Sequence, residues 1–178
     1  MTTADRFELF VRRYQDMVFG TAVRLLGNPT EAEDVAQTVF LRAFERFAVI
    51  GESPSAAGWL KTVTTNACLN YLSRYRARWR LFSELGDDKG TEGFEETLVA
   101  DMAAEAAMER GERDARIECA LRGLPDHQRV PLVLFHFDDL SYQDIATLLG
   151  VSLGKVKTDI HRGRETLRRQ LRTDCDTR

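Results

Sequence analysis

Leu140-Ser141-Tyr142-Gln143-Asp144-Ile145-Ala146-Thr147-Leu148-Leu149-Gly150-Val151-Ser152, continued by Leu153-Gly154-Lys155-Val156-Lys157-Thr158-Asp159-Ile160-His161-Arg162-Gly163-Arg164, reads as a short helix, a glycine turn and a longer basic helix. Ser141 is placed to cap the first helix, with Asp144 three residues on completing the box. Ile145 and Leu149 share one face, and Ala146 is small where another helix could cross. Gly150 supplies the left-handed backbone that stops a helix sharply. Ser152 caps the second helix, whose Val156, Ile160, Leu167 and Leu171 form an apolar stripe. Lys155, Lys157, Arg162, Arg164, Arg168 and Arg169 face outward. This pattern predicts a helix-turn-helix whose second helix faces phosphates. A merely solvated basic face is the alternative reading. Asp159 is out of place there, because an anion would repel phosphate unless it turns inward or pairs with Lys155 or Arg162.

The remainder of the chain is helical by pattern, with no strand alternation, so the expected class is all-α. Phe7, Phe10, Val11, Tyr14, Met17, Val18, Ala22 and Leu25 recur at helical spacing over about 5–26, and Gly27-Asn28-Pro29 ends that run. Thr30 and Glu33 suggest a capping box for the next helix. Its buried side is read as Val35, Ala36, Val39, Phe40, Ala43, Phe44 and Phe47, opposite a polar face with Asp34, Gln37, Thr38, Leu41, Arg42 and Glu45. Turn chemistry makes 48–58 a loop. A third helix begins near Ser55–Trp59, with Trp59 read as a core anchor, and ends on Tyr75-Arg76-Ala77-Arg78-Trp79-Arg80. Arginines interleaved with aromatic rings suit single-stranded nucleic acid, although an amphipathic helix end with its rings in the core would look alike. Residues 81–108 are acidic and turn-rich and read as a flexible linker. Helices resume at about 108–123 and after Leu124-Pro125-Asp126, where Pro131 leaves the start of the later helix open.

Charge follows the same division. Net charge is −3 in 178 residues, split as +3 over 1–80, −8 over 81–119 and +2 over 120–178. Neither flank is basic enough to hold DNA tightly by counterion release alone, so a partner must supply affinity. Cys68, Cys119 and Cys175 form no CxxC pair or zinc spacing and read as reduced structural thiols. His127, His136 and His161 lie in no nucleophile, metal or acid–base constellation, so the reading is of no enzyme, no cofactor and no metal. No apolar run reaches the ~20 residues that span a bilayer, and a cytoplasmic protein without membrane insertion is expected. A freestanding helix-turn-helix regulator would leave the first 80 residues unexplained.

Taken in order, Arg24-Leu25-Leu26-Gly27-Asn28, Glu31 through Phe40, Trp59 through Leu72, Leu124-Pro125 with Arg129, and Leu140 through Arg164 resemble the extracytoplasmic-function (ECF) group of bacterial RNA polymerase sigma factors, within the sigma-70 family. The resemblance implies two small helical domains, sigma domain 2 over 1–80 and sigma domain 4 over 109–174, joined by the acidic linker 81–108. It implies an alternative sigma factor that binds core RNA polymerase, through the β′ coiled coil and the β flap, and directs initiation at promoter DNA, under the control of an anti-sigma factor. By position, Asp34, Gln37, Leu41 and Arg42 resemble the β′-binding face. Lys61, Thr62, Thr65, Asn66, Asn70, Arg74, Tyr75, Arg76 and Trp79, with the loop 49–58, resemble the −10 reading and melting surface. Ser152, Lys155, Lys157, Thr158, His161, Arg162 and Arg164 resemble the −35 reader. Lys155 departs from the threonine that many relatives carry after the helix glycine.

Overall fold

In the computed structural model, residues 2–83 and 105–173 are described, with the side chains of 75–83, 105–110 and 173 outside that description. Among the described residues eight helices follow in order: α1 Thr3–Leu26, α2 Pro29–Glu45, α3 Phe47–Ile50, α4 Ala56–Ser83, α5 Glu105–Arg122, α6 Asp126–His136, α7 Tyr142–Leu149 and α8 Leu153–Thr173. There is no strand among the described residues. The fold is all-α, with α1–α4 forming one small domain and α5–α8 the other. Helices α4 and α5 extend into both ends of the stretch read as linker; its residues 84–104 lie outside the described residues.

The first domain is a bundle of α1, α2 and α4 around Val18, Leu25, Val39, Leu60 and Cys68, all essentially inaccessible. Truncating a leucine such as Leu60 at this depth costs about 2–5 kcal/mol. Thr2 and Asp5 form a reciprocal capping box that starts α1. Asn28, rather than Thr30, caps α2: its side chain accepts from the Thr30 and Glu31 amides at 3.0 and 3.4 Å. Pro29, whose fixed φ and missing N–H suit the first helical position, places the cap at Asn28, two residues before the expected Thr30. At one end, Phe7 sets its ring edge-on to Phe44 and Phe47, with centroids 4.9 and 5.1 Å apart. Phe47 is buried as expected, but on α3, a short helix that takes up the first residues of the expected loop 48–58. Phe44 is 53% exposed, which corrects its placement in the core.

In the second domain α6 packs on α8, with Leu132, Val133, Leu134, Ile145, Val156 and Ile160 buried together. Helix α6 begins at Asp126 and runs through Pro131, which is buried within it. Ser141 caps α7 through the Asp144 amide at 3.1 Å. Gly150 ends α7 at φ 65°.

The two domains are packed against each other along α1. Arg129 of α6, 4% exposed, is the main tie. Its Nε and Nη2 donate to the carbonyls of Leu25 and Leu26 at 3.2 and 2.9 Å, and Nη1 donates to Leu124 O at 2.7 Å. The buried guanidinium is thus balanced by the negative end of α1 and by the Asp126 carboxylate. Gly27 makes this approach possible. Its φ is 71°, and a Cβ there would sit 2.7 Å from Arg129 Cζ.

Candidate nucleic-acid interface

Helix α8 is positioned by its own cap, the Lys155 amide donating to Ser152 Oγ at 3.2 Å, and by the burial of Val156 and Ile160 against α6. This leaves Lys157, Thr158, His161 and Arg162 on the solvent face. Lys157 and Arg162 make no hydrogen bond or ion pair among the described residues, so both cations are available to an external anion. Thr158 Oγ1 donates to Gly154 O at 2.9 Å, and His161 lies 3.5 Å from Glu165. The misplaced acid is resolved by geometry. Asp159 is 6% exposed and takes Lys155 Nζ at 2.8 Å, one turn along the helix. Lys155 therefore carries much less free charge than the sequence pattern suggests. Arg164 is also engaged: its guanidinium lies over the Phe135 ring at 5.3 Å, and its Nε donates to His136 Nε2 at 3.3 Å. Burial, then the neighbouring Arg164 charge, hold the His136 imidazole below its ordinary pKa. The neutral ring is the form that can accept that bond.

On α4, Thr62, Asn66, Asn70 and Arg74 are exposed, and Thr62 Oγ1 is returned to Gly58 O at 3.0 Å. Tyr75, Arg76 and Trp79 belong to the same helix, but their side chains lie outside the described residues. Lys61 and Thr65 are turned toward the second domain. Lys61 Nζ lies 3.3 Å from Asp138 Oδ1 and also donates to Phe137 O, while Thr65 Oγ1 donates to Asp138 Oδ2 at 3.0 Å. Thr65 is buried by this contact. Beneath it, burial and then the Asp138 charge push the Cys68 thiol up to about 12, so it stays protonated and inert.

A third surface lies between α1 and α2. Phe7, Val11, Phe19, Gln37, Phe40, Leu41 and Phe44 line an open groove of about 710 Å³. Leu41 is 67% exposed, and Asp34 and Arg42 are exposed on the same helix. Sequence reasoning located Gln37 and Leu41 but missed Phe19 and Phe44. The available signal was spacing: Gln37, Leu41 and Phe44 fall at i, i+4 and i+7 on one stripe. Among the described residues, no group of His, Cys, Asp and Glu could hold a metal ion, and no helix is long and apolar enough to cross a membrane.

These features define a class: a two-domain, all-helical protein with a capped helix-turn-helix in its second domain and an open apolar groove between α1 and α2 of its first. Residues 10–79 match the sigma-70 region 2 family, and residues 114–167 match sigma-70 region 4. The chain is 33% identical over 168 residues to the ECF RNA polymerase sigma factor SigW of Bacillus subtilis, covering 94% of this chain and 90% of that one. It is 31% identical over 173 residues to the RNA polymerase sigma-E factor of Streptomyces coelicolor, covering 97% and 90% respectively. Its fold resembles that of the sigma factor RpoE crystallised with the anti-sigma factor NepR from Bartonella quintana, at TM-score 0.53 and 21% identity, over 94% of this chain and 98% of that one. The chain belongs to the sigma-70 family, in its ECF group, and is an alternative sigma factor, a transcription initiation factor.

Proposed function

We propose that this sigma factor binds core RNA polymerase through the α1–α2 groove and reads promoter DNA with α4 and α8. The observation that carries the reading is α8 itself: a capped, buttressed second helix of a helix-turn-helix that leaves Lys157 and Arg162 exposed and unpaired. Ser152, Lys155, Lys157, Thr158, His161, Arg162 and Arg164 are assigned to the −35 element. Lys61, Thr62, Thr65, Asn66, Asn70, Arg74, Tyr75, Arg76 and Trp79 are assigned to the −10 element and its melting. Opening a duplex costs a few kcal/mol per extruded base, and stacking on aromatic rings returns about 1–3 kcal/mol per base. The functional units are taken as 1–80 and 109–174, with 81–108 between them.

Asp34, Gln37, Leu41 and Arg42 are assigned to the β′ coiled coil, and the second domain to the β flap. An apolar groove rimmed by charge suits a helical partner, because a helix can lay its own apolar face into it. Polymerase would then supply the sequence-independent affinity that the weak net charge withholds, leaving this chain to add base readout. The chain performs no catalysis itself, acts in the cytoplasm and is held in check by an anti-sigma factor. Regulation of that kind is supported by the relative crystallised with its anti-sigma partner.

The test is gel filtration of the purified chain with core polymerase. A stoichiometric complex is expected, and failure to co-elute in the absence of an inhibitor would overturn the assignment. Sequence-specific binding to duplex DNA by the chain alone would instead favour a freestanding regulator.

A further inference from the structure

We propose that Asp159 is a positioning residue of the −35 reader. By holding the Lys155 ammonium, it turns a mobile, phosphate-seeking charge into fixed donors that select guanine at one position of the element. The inference rests on the assignment of α8 to the −35 element and names the residue that directs it. Asp159 Oδ2 accepts from Lys155 Nζ at 2.8 Å, and the Asp159 side chain is 8% exposed against 50% for Lys155. The acid is thus the fixed partner, and the lysine is the one that reaches solvent. Asp159 lines a cavity with Val130 and Pro131 of α6, Leu72 of α4 and Val156 of its own helix, apolar neighbours that strengthen the attraction within the pair. Both partners belong to α8, one turn apart, so the pair travels with the helix. Among the described residues the Asp159 carboxylate has no second partner, and Arg162, three residues on, is exposed.

Helix stability does not account for the pair. Lys155 stands in the first turn of α8, where a capping box carries Glu or Gln and where the helix dipole disfavours a cation. A lysine one turn before its acid is also the weaker order for such a pair. What the pair supplies is direction and neutrality. A free lysine is a point charge on a flexible stem and follows any phosphate. Held by Asp159, the Lys155 ammonium keeps two of its three N–H groups for an outside acceptor. Its backbone is fixed by the Ser152 cap at 3.2 Å, and its charge is cancelled one turn along. Guanine O6 and N7 lie side by side on the major-groove edge and accept such donors together. The neighbouring carboxylate repels phosphate and leaves that contact to Arg162, which makes no ion pair among the described residues.

The experiment uses the full chain with core polymerase, binding promoter fragments that carry each base pair in turn at every −35 position, over a range of salt concentrations. Helical content and co-elution with polymerase establish that each variant is folded. Lys155→Ala should reduce the guanine preference about tenfold at one position and leave the salt slope unchanged. Asp159→Asn should relax the preference at that same position and steepen the salt slope by about one unit, because the released ammonium becomes a phosphate contact. Lys155→Ala combined with Asp159→Asn should match Lys155→Ala in both readouts. Asp159→Glu, which keeps an acid one turn from Lys155, should stay close to wild type in both. A salt slope made shallower by Lys155→Ala would make Lys155 an ordinary phosphate contact and overturn the proposal, even if Asp159→Asn does not fold. Tighter binding of Asp159→Asn to every sequence with the guanine preference intact, which is simple relief of repulsion, would overturn it too. If these variants have no effect while Lys157→Ala and Arg162→Ala weaken promoter binding, the proposal falls and the reading of α8 stands. If none of them acts, that reading falls as well.

Discussion

Single residues decide how much of the basic helix is available to DNA. Six outward cations were legible in the sequence from helical spacing, yet the structure commits Lys155 to Asp159 and Arg164 to His136 and Phe135. Spacing alone left both partners of Asp159 open, because Lys155 and Arg162 lie four and three residues away; only the fold shows which side is buried. The consequence is a division of labour. Arg162→Ala should weaken binding to all promoters and lower the salt slope by about one unit, as loss of one phosphate contact does. Lys157→Ala should cost about 1–3 kcal/mol at one −35 position and relax preference there. Equal losses across all sequences for both variants, measured by salt-dependent binding of the polymerase complex, would show that α8 positions without reading. The Arg164–His136 bond is pH-sensitive. Because the folded pKa of His136 is depressed, its contribution is present above the unfolded value of about 6.5 and is lost as pH falls through the folded value. Proton NMR should find His136 titrating below 6.5, and Arg164→Ala should move it upward.

At the level of elements, the helices were readable because apolar residues recur at helical spacing and because caps and glycines punctuate them. What escaped was which aromatic rings point inward. Phe40, Phe44 and Phe47 all fit an apolar stripe, but the break after Glu45 rotates Phe47 into the core and leaves Phe44 at the rim of the groove. The mislocated cap has a similar cause, since Pro29 fixes the first helical residue more strongly than a threonine box does. Exposed Leu41 and Arg42 should therefore be dispensable for folding. Replacing both with alanine should weaken core polymerase binding, read by co-elution, with little change in helical content or melting temperature; an unfolded double variant would place this face inside the domain. Arg129 is the opposite case, a motif residue whose role could not be inferred from its own domain. Its Nε and Nη2 serve the last carbonyls of a helix more than a hundred residues earlier. Arg129→Ala removes charge-assisted bonds worth about 1.5–3 kcal/mol each and should lower the melting temperature by several degrees. Arg129→Lys should recover little of that loss, because an ammonium cannot reproduce the planar fork.

For the whole molecule, the order of motifs along the chain disclosed two domains and a shared function, while their packing was invisible. Helical periodicity describes one element at a time and carries no information about Asp138 meeting Lys61 or Glu118 meeting Arg24. Those contacts join positions far apart in sequence, and each partner reads as an ordinary surface charge. Composition bears on the same question: a chain with net charge −3 has too little positive charge to hold DNA by counterion release alone, which is why a larger partner is proposed. The account therefore stands on recruitment of that partner to defined start sites. Run-off transcription with core polymerase on genomic fragments, with transcript ends mapped, tests it most directly. The account predicts discrete start sites that require this chain, lie downstream of a common pair of −10 and −35 elements, and are lost with Arg162→Ala and Lys157→Ala combined. Transcripts that do not depend on the chain, or start sites that share no such pair, would contradict it.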